Sequence, residues 1–329
     1  MTRVPGEFEL IETYFAPLAA AQAGSFGLRN DAAVARVSPG HQLVATSDML
    51  IAGVHFLADD PPDAIGAKCL AVNLSDLAAM GARPLGYLLS ICWPRAPEDK
   101  WVEAFTQGLA PMQERYDCHL LGGDTTSGSA GLVICVTAIG EIADGRALTR
   151  SGAREGERVY VSGTLGDAAL GLAILQHEID AAGEGTHRHL IERYRAPTPR
   201  LALGRALADK GLASACLDVS DGLLADAGHI AEASGLRVII EQARVPLSQE
   251  AEMLLKRDPS LWPRVLSGGD DYELLFTVGA ERVGEVEDLA AALELPLTPI
   301  GHAEEGRGVL LVAPDGTRSE GRDGGWRHF

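Results

Sequence analysis

Apolar positions along the chain follow helical and strand spacings in alternation. Residues 7–22, EFELIETYFAPLAAAQ, put Phe8, Ile11, Phe15 and Leu18 on one helical face. Extended segments follow at about 32–37 and 42–48. The run DAIGAKCLAVNLSDLAAMG (63–81) reads as a helix, stopped by Gly81 and Pro84. A strand near 85–92, a helix near 98–116 and a strand near 131–142 come next. The stretch GEIADGRALTRSGAREGERVYVSG (140–163) is rich in Gly and charge, and it predicts a domain boundary near 147. Beyond it the alternation resumes, with strands near 157–162, 214–219, 236–241, 272–278 and 308–313 and helices near 167–177 and 222–234. HEIDAAGEGTHRHL (177–190) reads as a polar surface connection. The pattern predicts layered α/β structure in two domains, 1–147 and 148–329.

Composition narrows the function. A hydrophobic fraction of 46% supplies sizeable cores. The 28 basic and 46 acidic residues leave a net charge of −18, which argues against nucleic-acid and anionic-membrane partners. Five scattered cysteines with no CxxC indicate neither a zinc site nor a disulfide framework, and they suit a reducing compartment. No apolar run approaches membrane-spanning length, and MTRVPGEFEL lacks a signal-peptide core. The expectation is a cytoplasmic protein.

Acidic residues recur beside Ser, Thr or Gly at the ends of apolar segments: RNDAAV (Asp31), VATSDML (Asp48), VNLSDLAAMGA (Asp76), LLGGDTTSG (Asp124), SGTLGDAALG (Asp167), LDVSDGLLAD (Asp218, Asp221, Asp226) and LSGGDDYELLF (Asp270, Asp271, Glu273). Each admits a purely structural account. Ser220 or Asp221 could cap the helix that follows. Asp167 reads as a cap, Asp226 as an exposed helix position, and Asp270 and Asp271 as turn formers. Asp76 resists that account. It falls mid-helix, with Asn73 one turn earlier on the same face, where no orphan N–H groups await a carboxylate. Asp48 and Asp124 end apolar runs, where α/β proteins place ligands.

The number of carboxylates matters more than any one. Two charges about 5 Å apart repel by about 3 kcal/mol at an effective dielectric near 20. Several such pairs would rival a whole protein's stability of about 5–15 kcal/mol. Convergence in one cleft therefore requires cations, and isolated oxygen ligands on many segments suit Mg²⁺ with a nucleotide. There is no P-loop, G-x-G-x-x-G, G-x-S-x-G, H-E-x-x-H or kinase H-R-D pattern. On its residues alone His55 reads as a core histidine, and Arg150 as a solvated surface residue.

Taken together, GEFELIETYF, TSDMLIAGVHF, KCLAVNLSDLAAMGARP, LLGGDTTSG, ALTRSGA, LDVSDGLLADAGHI and SGGDDYELLFTV resemble the thiamine-monophosphate kinase family, in order from Gly6 to the C-terminal GGWRHF. That family belongs to a superfamily of ATP-dependent enzymes with aminoimidazole ribonucleotide synthetase and selenophosphate synthetase. The resemblance implies that ATP and thiamine monophosphate give ADP and thiamine diphosphate. It implies several Mg²⁺ ions held by Asp31, Thr46, Ser47, Asp48, Asp76, Asp124, Asp218 and Asp221. It implies ATP contacts at Gly123, Asp124, Arg150 and Ser220. It implies thiamine phosphate contacts at His55, Glu273 and Trp326, against the core reading of His55. Asp124, Asp76 and Arg150 are the expected catalytic group. It further implies a homodimer pairing through the N-terminal sheets, with the C-terminal domain completing the active-site cleft.

Two departures from the family pattern stand out. GDDAAV reads RNDAAV, with Asn30 for the first Asp, and GGEDYEL reads GGDDYEL, with the shorter Asp270. A phosphate acceptor is already mostly deprotonated at neutral pH, its second pKa being near 6. The expected chemistry is then in-line transfer by positioning and charge neutralisation, with no general base. The competing readings are a superfamily member that activates an amide or carbonyl oxygen, and a non-catalytic acidic metal-binding protein.

Overall fold

In the computed structural model, residues 5–128, 131–179 and 184–321 are described, with only the backbone for 184–187. The chain divides into two compact units: Met1–Leu77 with Ala82–Gly145, and Ala78–Gly81 with Arg146–Phe329. The architecture is α/β in both.

Unit 1 comprises α1 (Glu7–Leu10), β1 (His41–Ile51), α2 (Pro62–Ala79, whose end passes into unit 2), β2 (Arg83–Trp93), α3 (Asp99–Tyr116), β3 (Leu120–Ser127) and β4 (Val133–Ala143). Its sheet runs β1-β4-β2-β3, with β2 and β3 parallel and the other pairs antiparallel. Helices α2 and α3 approach closely through glycine. A side chain on Gly66 would meet the Phe105 carbonyl oxygen at 2.2 Å, and one on Gly108 the Asp63 carbonyl oxygen at 1.9 Å. Gln113 ties α3 to the sheet by accepting from the Tyr87 hydroxyl at 2.8 Å and the Leu120 N–H at 3.1 Å. One face of β1, carrying Thr46 and Asp48, turns toward α2, while Leu43 and Met49 on the other face are 56% and 55% exposed.

Three expectations change in unit 1. The first helix is interrupted: α1 gives way to a π turn over Ile11–Phe15 and a 3₁₀ turn over Ala16–Ala19. A π turn spaces stacked residues by five, not by about four. Leu10 and Phe15, five residues apart, are both buried, at 3% and 6% exposure, and Phe8 points out at 82%. Residues 32–37 join no ladder among the described residues. Strand β3 went unanticipated because the Gly122–Gly123 pair reads as a turn.

Unit 2 comprises β5 (Arg158–Ser162), α4 (Asp167–Leu175), α5 (Glu184–Arg195), α6 (Leu201–Lys210), β6 (Ala215–Asp218), α7 (Leu223–Ser234), β7 (Arg237–Glu241), α8 (Gln249–Arg257), α9 (Trp262–Ser267), β8 (Leu274–Val278), α10 (Val283–Leu293), β9 (Leu297–Glu304), β10 (Gly308–Val312) and β11 (Arg318–Glu320). The strands form one sheet, β11-β10-β7-β9-β5-β8-β6. Its core joins strand residues Val159, Val161, Leu217, Ile240 and Leu275 to helix residues Leu170, Leu223 and Ile230. Helix α5 overlaps the segment read as a surface connection. Its inner side seats the fully buried Leu190 and the nearly buried Tyr194.

Candidate active site

In unit 1 the predicted residues fall into two local groups. The first lies on β1 and α2. The Thr46 hydroxyl donates to Asp76 Oδ2. One turn earlier, Asn73 Oδ1 accepts the Asp48 N–H at 3.1 Å, and its Nδ2 donates to the Cys69 carbonyl at 3.0 Å. The mid-helix polar pair Asn73 and Asp76 therefore links α2 to β1. Ser47 points to the opposite face, with its Oγ 2.9 Å from Thr137 Oγ1.

The second group lines a cavity of about 700 Å³, whose lining includes polar Asn30, Asp31, Ser90, Asp124, Thr125 and Thr137, Gly123, and apolar Ile11, Phe15, Leu28, Leu121 and Ile139. Asp31 and Asp124 are exposed. Gly123 is required by close approach, since a Cβ there would lie 1.8 Å from the Leu89 carbonyl oxygen. Asp124 is steadied by the Thr125 N–H on its Oδ1 at 2.9 Å, and Thr125 in turn by Trp93 Nε1 at 2.7 Å. His55 is half-buried after β1, and its Nδ1 accepts the Ile51 N–H at 3.0 Å. With Nδ1 accepting, the tautomeric proton is assigned to Nε2.

In unit 2, Asp218 ends β6 at 6% exposure, and Ser220 and Asp221 follow half-buried in the turn before α7. Asp226 is not an exposed helix residue: it is 3% exposed. Its Oδ2 reaches back to accept the N–H of Asp221 at 3.0 Å and of Gly222 at 3.1 Å, capping α7 from inside. Burial, with the charges of Asp218 and Asp221, pushes its carboxyl well above the usual range, and the two N–H bonds offset this only in part. Among the described residues, Asp221, Asp226 and His229 are the one group of three carboxylate or imidazole side chains whose ligand atoms lie within 4.8 Å of one another. His229 was missed in the sequence. Its signal was the D-x-x-H spacing from Asp226, which puts both on one helix face.

The turn-forming residues acquire definite partners. Asp270 has φ +64°, a region Asp enters more readily than Glu, so its departure from the family pattern suits this backbone. Asp271 is 2% exposed and both its oxygens face the Gly166 N–H, at 2.8 and 3.0 Å. Asp167 is fully buried and accepts from Thr164 at 2.6 Å and from Ser248. Glu273 is 0% exposed and bound by Arg193, Arg200 and Ser162. The resemblance implies a thiamine phosphate contact here; among the described residues its carboxylate is met by protein groups. Arg150 is exposed, and Trp326 lies outside the described residues.

The AIR synthase related protein N-terminal domain matches residues 29–142, and its C-terminal domain matches 154–314. Thiamine-monophosphate kinase of Caulobacter vibrioides is 41% identical over 309 residues, spanning 93% of this chain and 86% of that protein. The chain belongs to the thiamine-monophosphate kinase family. The crystal structure of that kinase from Stenotrophomonas maltophilia superposes with a TM-score of 0.83 at 41% identity, covering 93% of this chain and 98% of that one. AaThiL, complexed with AMPPCP and TMP, superposes with a TM-score of 0.78 at 35% identity, covering 98% and 97%. The kinase-family fold thus extends over both units. Among the described residues, no helix is long and apolar enough to cross a membrane.

Proposed function

We propose that this chain transfers the γ-phosphoryl group of ATP directly to the phosphate of thiamine monophosphate, giving ADP and thiamine diphosphate. The observation that carries this reading is the near-full-length likeness to AaThiL, complexed with AMPPCP and TMP. The donor chemistry of the sites agrees with Mg²⁺. In unit 1 the donors are the carboxylates of Asp31, Asp48, Asp76 and Asp124 and the hydroxyls of Thr46 and Ser47. In unit 2 they are Asp218 and Asp221. All are hard oxygens, and they come from five separate segments, which leaves coordination positions for water and phosphate. When bound, Mg²⁺ supplies charge neutralisation between two polyanions in a protein of net charge −18.

The chain's own groups position the reactants. The unit 1 cavity offers apolar lining residues for the purine and Gly123 and Asp124 for the phosphates. Thr46 orients Asp76 by donating to one of its oxygens, and Asn73 pins the β1 backbone at Asp48. Exposed Arg150 supplies a direct cation to the nucleotide phosphates, and Ser220 donates a hydroxyl hydrogen bond. His55 presents its Nε2–H to the substrate phosphate. Trp326 gives the thiazolium an aromatic face. No residue need remove a proton, because the attacking phosphate oxygen is already ionised. The exposed face of β1 pairs with a second copy to form a homodimer.

The test is incubation of purified protein with ATP, Mg²⁺ and thiamine monophosphate, followed by chromatography. Thiamine diphosphate and ADP are expected in equal amounts. ATP hydrolysis without thiamine diphosphate would overturn the reading.

A further inference from the structure

Unit 2 contains a buried charged brace directly behind its acidic turn. Glu273 Oε1 accepts from Arg193 Nη2 at 2.9 Å and from Arg200 Nη2. Its Oε2 accepts from Arg200 Nε at 2.6 Å and from Ser162 Oγ at 2.6 Å. Arg193 Nη2 also donates to the Asp271 backbone carbonyl at 3.0 Å. The Asp271 carboxylate holds the Gly166 N–H ahead of α4. The segment 269–273 is thus gripped from α5, from the start of α6, from the end of β5 and from the turn before α4.

The same segment holds the acidic turn. Glu273 O accepts the Val219 N–H at 2.8 Å, Val219 O accepts the Tyr272 N–H at 2.8 Å, and Ser220 O accepts the Asp270 N–H at 2.9 Å. Gly269, at φ +72°, lies so close that a Cβ would meet the Ser220 carbonyl oxygen at 2.4 Å. The backbone between these grips is strained, with Asp270 at φ +64° and Tyr272 at φ +52°. Such conformations persist only where the surroundings over-determine them. Removing a grip would relax segment 269–273, and the three backbone bonds would carry that movement to Asp218 and Asp221.

We propose that Arg193 and Glu273 are positioning residues that set the geometry of the Asp218–Asp221 turn for a divalent cation. This rests on the reading of Asp218 and Asp221 as cation ligands. Arg193 suits the task because its Nη2 alone donates to both the Glu273 carboxylate and the Asp271 carbonyl, in directions fixed by the planar guanidinium, whereas a lysine ammonium sits on a flexible stem with freely rotating donors. Glu273 acts through the turn and does not touch substrate.

The experiment titrates Mn²⁺ into full-length protein and follows free Mn²⁺ by electron paramagnetic resonance. It compares wild type, Asp221→Asn, Arg193→Lys and Glu273→Gln, with thermal unfolding and steady-state kinetics alongside. Asp221→Asn identifies the binding class that belongs to the turn. Arg193→Lys, which keeps the charge, is expected to fold cooperatively and to weaken that class about tenfold or more, as loss of a supporting contact does at metal sites. It should raise the Mn²⁺ needed for half-maximal turnover by the same factor and leave KM for thiamine monophosphate within about twofold. Glu273→Gln should shift the same quantities in the same direction. Lowered thermal stability with unchanged Mn²⁺ affinity in both variants would overturn the proposal, leaving a merely structural brace. A raised KM for thiamine monophosphate at unchanged Mn²⁺ affinity would also overturn it, returning Glu273 to substrate binding. A wild type that makes no thiamine diphosphate, but whose Asp221 class of Mn²⁺ weakens in Arg193→Lys, would sink the kinase reading and sustain the brace.

Discussion

Asp31 and Asp124 in unit 1 stand exposed on a cavity wall, whereas Asp218, Asp226 and Asp271 in unit 2 are 6%, 3% and 2% exposed. The supports differ in the same way. Asp76 and Asp124 each keep company with a small hydroxyl or a single backbone N–H, whereas Asp226 and Asp271 have backbone N–H groups directed at them from a neighbouring turn. An exposed carboxylate keeps its water and can exchange it for a cation at small cost. A covered one must find protein donors, because a buried polar group left unmet costs about 1–3 kcal/mol. Apart from Asp218, a covered carboxylate read as a cation ligand, the Asp-rich motifs therefore divide between two tasks: those in the open offer oxygens to a ligand, and those under cover fix the chain that carries the offering. Asp221 is half-buried, and its neighbour Asp226 caps the turn that presents it.

The largest effect expected follows from that division. Asp124→Asn and Asp76→Asn keep size and hydrogen bonding but remove charge from unit 1. Turnover should fall by about 100- to 1,000-fold, or about 3–4 kcal/mol of transition-state stabilisation, while the melting temperature moves little. Loss of melting temperature on the scale of a core mutation would break the comparison, because it would make exposed Asp124 and half-buried Asp76 structural as well.

Much of the candidate site could be read from the chain because its chemistry ran against its setting. Asp76 had no local use in mid-helix, and the structure shows its use is across to β1. Sequence could not separate the open aspartates from the covered ones, since burial of Asp226 and Asp271 depends on segments far away along the chain. Gly166 is 105 residues from Asp271. Nor could it place Glu273 on two arginines 73 and 80 residues away. The fold was legible wherever period and length agreed, as in α2 and α3. It was misread where backbone geometry departs from the common periods, as in the π turn that exchanges Phe8 for Leu10, and where paired glycines disguise β3.

A smaller effect tests why unit 1 is open at all. Leu43 and Met49 lie on the uncovered face of β1, at the edge of its sheet. If a second copy covers them, Met49→Arg buries a charge in an apolar contact, and the dimer should dissociate at protein concentrations about ten- to a hundredfold higher. Analytical ultracentrifugation over a dilution series reads this directly. A wild type that sediments as a monomer at micromolar concentration would remove the proposed pairing, and the exposure of this face would need another account.

The smallest effect asks whether cover, and not membership of a unit, decides a carboxylate's task. Glu141 is a covered carboxylate inside unit 1, 2% exposed. Burial alone would raise its pKa. The Ser38 N–H at 2.7 Å, the Ser38 hydroxyl at 2.9 Å and Arg83 outweigh burial and hold it at about 2, against an ordinary 4.5. The folded pKa is thus depressed, so the stabilisation is present above about pH 4.5 and is lost as pH falls toward 2. Glu141→Gln should cost about 2 kcal/mol at pH 7, allowing for the partial exposure of Arg83. The gap between variant and wild type should close between pH 4.5 and 2, measured as paired thermal unfolding across that range. Carboxylates common to both proteins cancel in the difference, so the closing gap belongs to position 141. A gap that stays constant down to pH 2 would assign Glu141 a packing role independent of its charge. The rule that covered carboxylates act by fixing the chain through charged hydrogen bonds would then hold in unit 2 alone.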